Sequence, residues 1–211
     1  MRAVLFDLDG TLVDNMPFHA DAWVQMCARR GVHVPRDRFL RELAGSKNDH
    51  IVRLFWPDAT DALVEELTHE KEVAYRAAFG PRLRLLAGAA AFLDRLERDG
   101  VPFAIASAAP LLNRALVLDG LGLRSRFAAI VGGEEVARGK PHPDIFLLAA
   151  ERLGVAPRDC VVFEDAVLGV RAGVAADMRV VGVTTVCTPE ELLAAGALHT
   201  IADFTQLPRG L

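Results

Sequence analysis

The chain has 211 residues, 52% of them hydrophobic and 25% charged, with a formal net charge of −4. That length can bury a sizeable core, and an acidic balance with no basic tract argues against a nucleic-acid partner. Mean hydropathy is high, at +0.24, yet Arg, Asp, Gly and Pro keep every apolar run far short of the ~20 residues of a membrane helix.

Residues 2–7 read as a buried strand, with Val4, Leu5 and Phe6 unbroken by a polar residue. A strand so early leaves no room for a signal-peptide core and cleavage site, so a cytoplasmic location is expected. Cys27, Cys160 and Cys187 are scattered and odd in number, which suits reduced core thiols better than disulfides or a zinc site. From Asp14 to about Pro81 the pattern is helical. Pro17 sits at a first turn, Phe18, Ala22, Trp23, Met26 and Cys27 recur at helical spacing, and further helices are expected near 36–44, 47–55 and 60–79. After Arg82 the rhythm changes to alternation. Helices are expected at 88–99, from Pro110 to about Leu121, at 143–153, 166–176 and 188–195, and strands at 101–106, 128–131, 160–163 and 179–183. Alternating units predict a doubly wound, Rossmann-like α/β fold with a parallel sheet. The expected organisation is a catalytic core of residues 1–14 and 82–211 with an all-helical cap, 15–81, inserted after the first strand.

In open α/β sheets, sites form beyond the carboxyl ends of the strands. Those ends supply Asp7, Asp9, Ser107, Glu164 and Asp165, and the loop before the 143 helix adds Lys140. Each alone is readable as a helix cap. Together they give four carboxylates, a hydroxyl and an ammonium on one edge. Carboxylates without a His or Cys cluster suit a hard ion, Mg²⁺ rather than Zn²⁺. A carboxylate can attack phosphorus, and a second can move the leaving group's proton. A hydroxyl, an ammonium and helix N–H groups can hold the transferring oxygens.

Four motifs, in order, resemble the haloacid dehalogenase-like (HAD) hydrolase superfamily, in its branch with a helical cap. They are Asp7-Leu8-Asp9-Gly10-Thr11-Leu12-Val13-Asp14, then Ser107, then Lys140-Pro141-His142-Pro143-Asp144, then Glu164-Asp165 followed by Gly169. The resemblance implies that Asp7 is the nucleophile and Asp9 the general acid/base. It implies that Ser107 and Lys140 bind phosphate, and that Mg²⁺ is held by Asp7, the Asp9 carbonyl and Asp165, with Glu164 as ligand or orienter. Within the branch the chain is most similar to β-phosphoglucomutases and the related sugar-phosphate phosphatases. His19-Ala20-Asp21-Ala22-Trp23 fits the His-x-x-Ala-Trp pattern of that group. The resemblance adds Thr11, His19, Lys47, Lys71 and Ala108 to the substrate-binding residues, with Trp23 as cap core. Only three of the 24 basic residues are lysine, namely Lys47, Lys71 and Lys140, and all three fall at such positions. His33, His50, His69, His142 and His199 fit no metal-ligand spacing.

Two departures separate the chain from the mutases. The loop after Ser107 is Ala108-Ala109-Pro110, without hydroxyl or base, and the residue after Asp14 is Asn15. Both weaken binding of a bisphosphate. The leading expectation is therefore a Mg²⁺-dependent phosphatase acting on a small phosphorylated metabolite, a sugar or polyol phosphate, as a monomer with no membrane or nucleic-acid partner. A hexose-phosphate mutase is the first alternative, and a non-catalytic phosphate-ligand binding domain the second.

Overall fold

The computed structural model describes residues 2–41, 43 and 46–208. Six parallel strands form one sheet in the order β3-β2-β1-β4-β5-β6, with β1 at Ala3–Phe6, β2 at Phe103–Ser107, β3 at Ala129–Gly132, β4 at Cys160–Glu164, β5 at Arg179–Val183 and β6 at His199–Ile201. The expected strands are all present. Strand β6 is additional, and sequence reading had left it unassigned.

Alternation along the strands builds a core on each face. Val4, Phe6, Ile105, Val161 and Phe163 point one way. There they meet α5 (Ala89–Arg98) and α6 (Leu111–Gly120) through Phe92, Leu93, Leu96, Val117 and Leu118. Ala3, Leu5, Ala104, Ala106 and Val162 point the other way, onto α7 (Asp144–Leu153), α8 (Val167–Ala175) and α9 (Pro189–Ala194). Helices on both faces make the fold doubly wound, as expected.

Between β1 and α5, among the described residues, lie four α-helices: α1 (Met16–Arg29), α2 (Arg36–Arg41), α3 (Asn48–Phe55) and α4 (Asp61–Phe79). Their apolar stripes close on one another through Trp23, Met26, Phe39, Ile51, Val52 and Leu67, a cluster separate from those of the sheet. The last turns of α4 differ, because Tyr75 and Phe79 pack into the sheet's own core. Thr60 caps α4 by accepting from the Leu63 N–H. Among the described residues, no helix is long and apolar enough to cross a membrane.

Phe6 is fully buried at the centre of the sheet and meets the rings of Phe92, Phe103, Phe127, Phe163 and Phe204 at centroid distances of 5.4–6.4 Å. Phe6→Ala opens a cavity there and is expected to cost about 3–5 kcal/mol, read as a lowered urea midpoint with an unchanged slope.

Candidate active site

Strand β1 ends at Phe6, so Asp7 and Asp9 lie just beyond it. Strand alternation therefore does not set their relative placement. The turn that follows does so, with Gly10 at φ +73° and a bridge between Asp9 and Val13. A Cβ on Gly10 would collide with the Asp165 carboxylate. Gly10 thus serves both the turn and the close approach of β1's loop to β4's. Gly169 does the same for Glu164, whose carboxylate fills the space a Cβ would take.

Asp7, Asp9, Ser107, Lys140, Glu164 and Asp165 all line one cavity of about 780 Å³ between the sheet edge and the four inserted helices. Lys140 Nζ donates to Asp7 Oδ1 at 2.6 Å and to Glu164 Oε1 at 2.5 Å, with all three side chains buried. The other Glu164 oxygen accepts from the Ala166 N–H at 2.9 Å. Glu164 is thus committed to the lysine and to the start of α8. Burial, with Glu164 and Asp9 nearby, pushes Asp7 up to about 7 despite the Lys140 ammonium. Asp165 is also raised, by burial and then by Glu164 and Asp7. For Lys140, burial is outweighed by the two carboxylates, and its value is raised.

This arrangement fits a hard divalent cation. Asp165 Oδ2 is buried with no hydrogen-bond partner, and one ammonium cannot offset three buried carboxylates. Asp7, Asp165 and the Asp9 carbonyl are the oxygen donors available to such an ion. Among the described residues no three His, Cys, Asp or Glu side chains are gathered so as to hold a metal ion by themselves, so a backbone carbonyl or water would have to complete the donors.

Asp9 faces the helices. Asn15 Nδ2 donates to Asp9 Oδ1 at 2.6 Å and to Tyr75 Oη at 2.7 Å, while Asn15 Oδ1 accepts from the Gly10 N–H at 3.0 Å. His19 stacks on Tyr75 at 3.7 Å and turns Nε2 toward Asp9 Oδ2 across 3.4 Å. Lys71 Nζ donates to His19 Nδ1 at 2.8 Å, which leaves the ring proton on Nε2. Burial and the Lys71 charge hold His19 below its usual value, so the ring is neutral at pH 7. Burial would raise Asp9, but the His19 and Asn15 contacts win and lower it.

Most of the expected site residues reach the cavity, including Ala108, His19, Lys47 and Lys71. Thr11 does not. It is fully buried, and its hydroxyl donates to Asp165 Oδ1 at 3.4 Å. The tight Asp9–Val13 turn points it inward, so it supports a carboxylate instead of touching substrate. Lys71 is 2% exposed, paired with Glu72 at 2.9 Å and set over the rings of Trp23 and Tyr75. Trp23 is buried in the helical core, as expected. The proposed cap loop 43–47 includes Ala44 and Gly45, which lie outside the described residues.

Sequence reading missed three residues. Asn15 had been treated only as a departure from the mutases. Glu72, also buried, accepts from Asn48 and Asn113 at 2.6 Å each and so ties α3, α4 and α6 together. Arg114, buried on α6, donates to the Ala109 carbonyl at 2.5 Å and pairs with Glu134. For Asn15 the signal was its place one residue after the first motif.

A haloacid dehalogenase-like hydrolase family model matches residues 1–177. The chain belongs to that family. It is 34% identical over 208 residues to hexitol phosphatase A of Escherichia coli, covering 97% of this chain and 93% of that one. It is 37% identical over 177 residues to a phosphoglycolate phosphatase of Xylella fastidiosa, covering 84% and 77%. The crystal structure of a β-phosphoglucomutase from Clostridium difficile superposes with a TM-score of 0.87 at 25% identity, covering 99% and 94%. The hydrolase therefore has the fold its motifs implied.

Asn15→Ala strips buried partners from Asp9, the Gly10 N–H and Tyr75 at once. Thermal or urea unfolding is expected to show a loss of about 1–3 kcal/mol, more than the same change at an exposed asparagine.

Proposed function

We propose that this enzyme is a Mg²⁺-dependent phosphatase that hydrolyses small phosphate monoesters, sugar or polyol phosphates, through an aspartyl-phosphate on Asp7. The observation that carries the reading is that Asp7 and Asp9 line the same cavity, with Asp7 Oδ1 accepting a hydrogen bond from Lys140 Nζ. The free Asp7 oxygen attacks phosphorus while Lys140 holds its partner oxygen in line. Ser107 Oγ accepts from the Ala109 N–H at 3.1 Å, which leaves its own hydroxyl hydrogen to donate to a phosphoryl oxygen. Asp9 gives a proton from its carboxyl to the departing alkoxide, and then takes one from the water that hydrolyses the acyl phosphate. The phosphate's negative charge raises the proton affinity of Asp9 above that of the empty site. Neutral His19 and Asn15 keep the carboxyl aimed. Mg²⁺, held by Asp7, Asp165 and the Asp9 carbonyl, would neutralise the charge of the transferring group. Glu164 orients Lys140.

On this reading, residues 15–81 act as a cap over a core of 1–14 and 82–211, hinged near Asp14-Asn15 and Gly80-Pro81, and Lys47 reaches the substrate from it. The three buried free thiols suit the cytoplasm.

A mutase is the second reading, supported by His19, Trp23 and Lys47. Incubation with β-glucose 1-phosphate and a bisphosphate primer separates the two. Free phosphate is expected, whereas glucose 6-phosphate would identify a mutase. Turnover of a generic aryl phosphate is expected to require Mg²⁺ and to fall more than about a thousandfold in Asp7→Asn, the scale of a lost nucleophile. Metal-independent turnover, or full activity in that variant, would refute the mechanism. Mg²⁺ at about a hundred times its Kd is expected to stabilise the protein by about 2.7 kcal/mol, visible as a rise in Tm. Asp165→Asn is expected to lose most of that rise.

A further inference from the structure

On the reading above, Asp9 serves twice. Its carboxyl moves the proton, and its backbone carbonyl is one of the oxygen donors open to the cation. That carbonyl belongs to the Asp9–Gly10 peptide. Gly10, at φ +73°, has two soft torsions and no side chain to hold them. The structure holds them from outside.

The Gly10 N–H donates to two acceptors, Asn15 Oδ1 at 3.0 Å and the Val13 carbonyl at 2.8 Å. The Asp9–Gly10 peptide is trans, so its carbonyl points away from its N–H and from those two acceptors. Among the described residues, no backbone N–H donates to the Asp9 carbonyl. One peptide further on, the Gly10 carbonyl accepts from Thr185 Oγ1 at 2.5 Å. The peptides on both sides of the Gly10 Cα are therefore tied, one to Asn15 and one to Thr185.

Thr185 comes from far along the chain. It follows β5, two strands from β1 in the sheet. Between these two strands stands β4, and the Asp165 carboxylate just beyond it packs against Gly10. The loop that carries Thr185 is anchored on either side of it. Thr184 donates its N–H, at 2.9 Å, and its hydroxyl, at 3.3 Å, to the Ile201 carbonyl of edge strand β6. Cys187 is buried in the core under α8 and α9. Thr185 itself is half-buried and lies outside the cavity lining. Its effect on the site passes through Gly10.

We propose that Thr185 is a positioning residue for the cation: its hydroxyl fixes Gly10 and so keeps the Asp9 carbonyl in place as a preformed donor. A carbonyl free to turn has to be ordered when the ion binds, and that ordering weakens affinity. The Asp7 and Asp165 carboxylates do not depend on this bond, so the loss falls on affinity for the ion and not on turnover once the ion is bound. The inference rests on the Mg²⁺-dependent phosphatase reading and adds a residue that no motif singled out.

The test is calorimetric titration of the metal-free protein with Mg²⁺, beside turnover of an aryl phosphate across a Mg²⁺ series. It is run on the wild type, Thr185→Val and Thr185→Ser. Valine keeps the shape and removes the donor, whereas serine keeps the donor. Thr185→Val is expected to raise the Mg²⁺ Kd about tenfold, with kcat at saturating Mg²⁺ within about twofold of wild type. Thr185→Ser is expected to restore the wild-type Kd. The metal-free Tm of each variant separates a lost fold from a lost affinity, and Thr185→Ala carries the same expectation should the valine variant not fold. An unchanged Kd in Thr185→Val overturns the proposal. So does a serine variant as weak as the valine one, because packing and not the hydroxyl would then be responsible. A kcat that saturating Mg²⁺ does not recover overturns it as well. If the wild type binds no Mg²⁺ and turns over the ester without it, the metal reading itself fails and takes the proposal with it.

Discussion

One buried ammonium between two carboxylates organises the site. Lys140 Nζ sits 2.6 Å from Asp7 and 2.5 Å from Glu164, and Asp165 stands beside them with an unpartnered oxygen. A buried charge is costly unless paired, and removing one partner costs more than the pair contributes. The three carboxylates come from two adjacent strands, β1 and β4, so the parallel pairing of Phe6 with Phe163 sets the separation of their loops. The lysine comes from a different connection and closes the group. Sheet register, lysine placement and the two glycines at 10 and 169 therefore serve a single constraint. Like charges are brought close together at one edge of the sheet and are kept from repelling one another apart.

That constraint leaves an excess of negative charge, and its effect extends into the helices. Asp9 makes no ion pair with Lys140 and is held by a separate set: Asn15, just before α1, and His19 within it, backed by Tyr75 and Lys71 from α4. Lys71 is buried because Glu72 neutralises it and Trp23 and Tyr75 cover it with ring faces. Glu72 in turn reaches α6 through Asn113. The orientation of the proposed acid/base thus depends on how the inserted helices seat against the sheet. A change in that seating would alter Asp9 before it altered Asp7.

What could be read in the sequence follows from how local each signal is. The strand run into Asp7 and Asp9, the Ser107 strand end and the Glu164-Asp165 pair are short and contiguous, and the residues they single out line one cavity. Strand β6 was missed because three residues, His199-Thr200-Ile201, carry no run and no alternation. Thr11 was misread because its motif neighbours face the cavity while the tight turn faces it inward. Lys71 was singled out by the resemblance alone, since its neighbours Glu70 and Glu72 give no sign of burial; tertiary packing against Trp23, 48 positions away, buries it. Asn15, Glu72 and Arg114 act by holding other residues, and nothing in their local pattern announces a partner so remote in sequence.

Arg114 shows why the bare loop after Ser107 is compatible with phosphate binding. Ala108, Ala109 and Pro110 offer no polar side chain, so the loop can contribute only N–H groups and its shape. Backbone donors work when they are fixed in advance, because a donor that must be ordered by the substrate gives back the energy of ordering it. Arg114 supplies that fixing from behind. Its guanidinium, 3% exposed, clamps the Ala109 carbonyl and is itself held by Glu134. Pro110 adds a rigid φ at the entry to α6. The loop is thus stiffened from behind and left apolar where Ala108, Ala109 and Pro110 line the cavity.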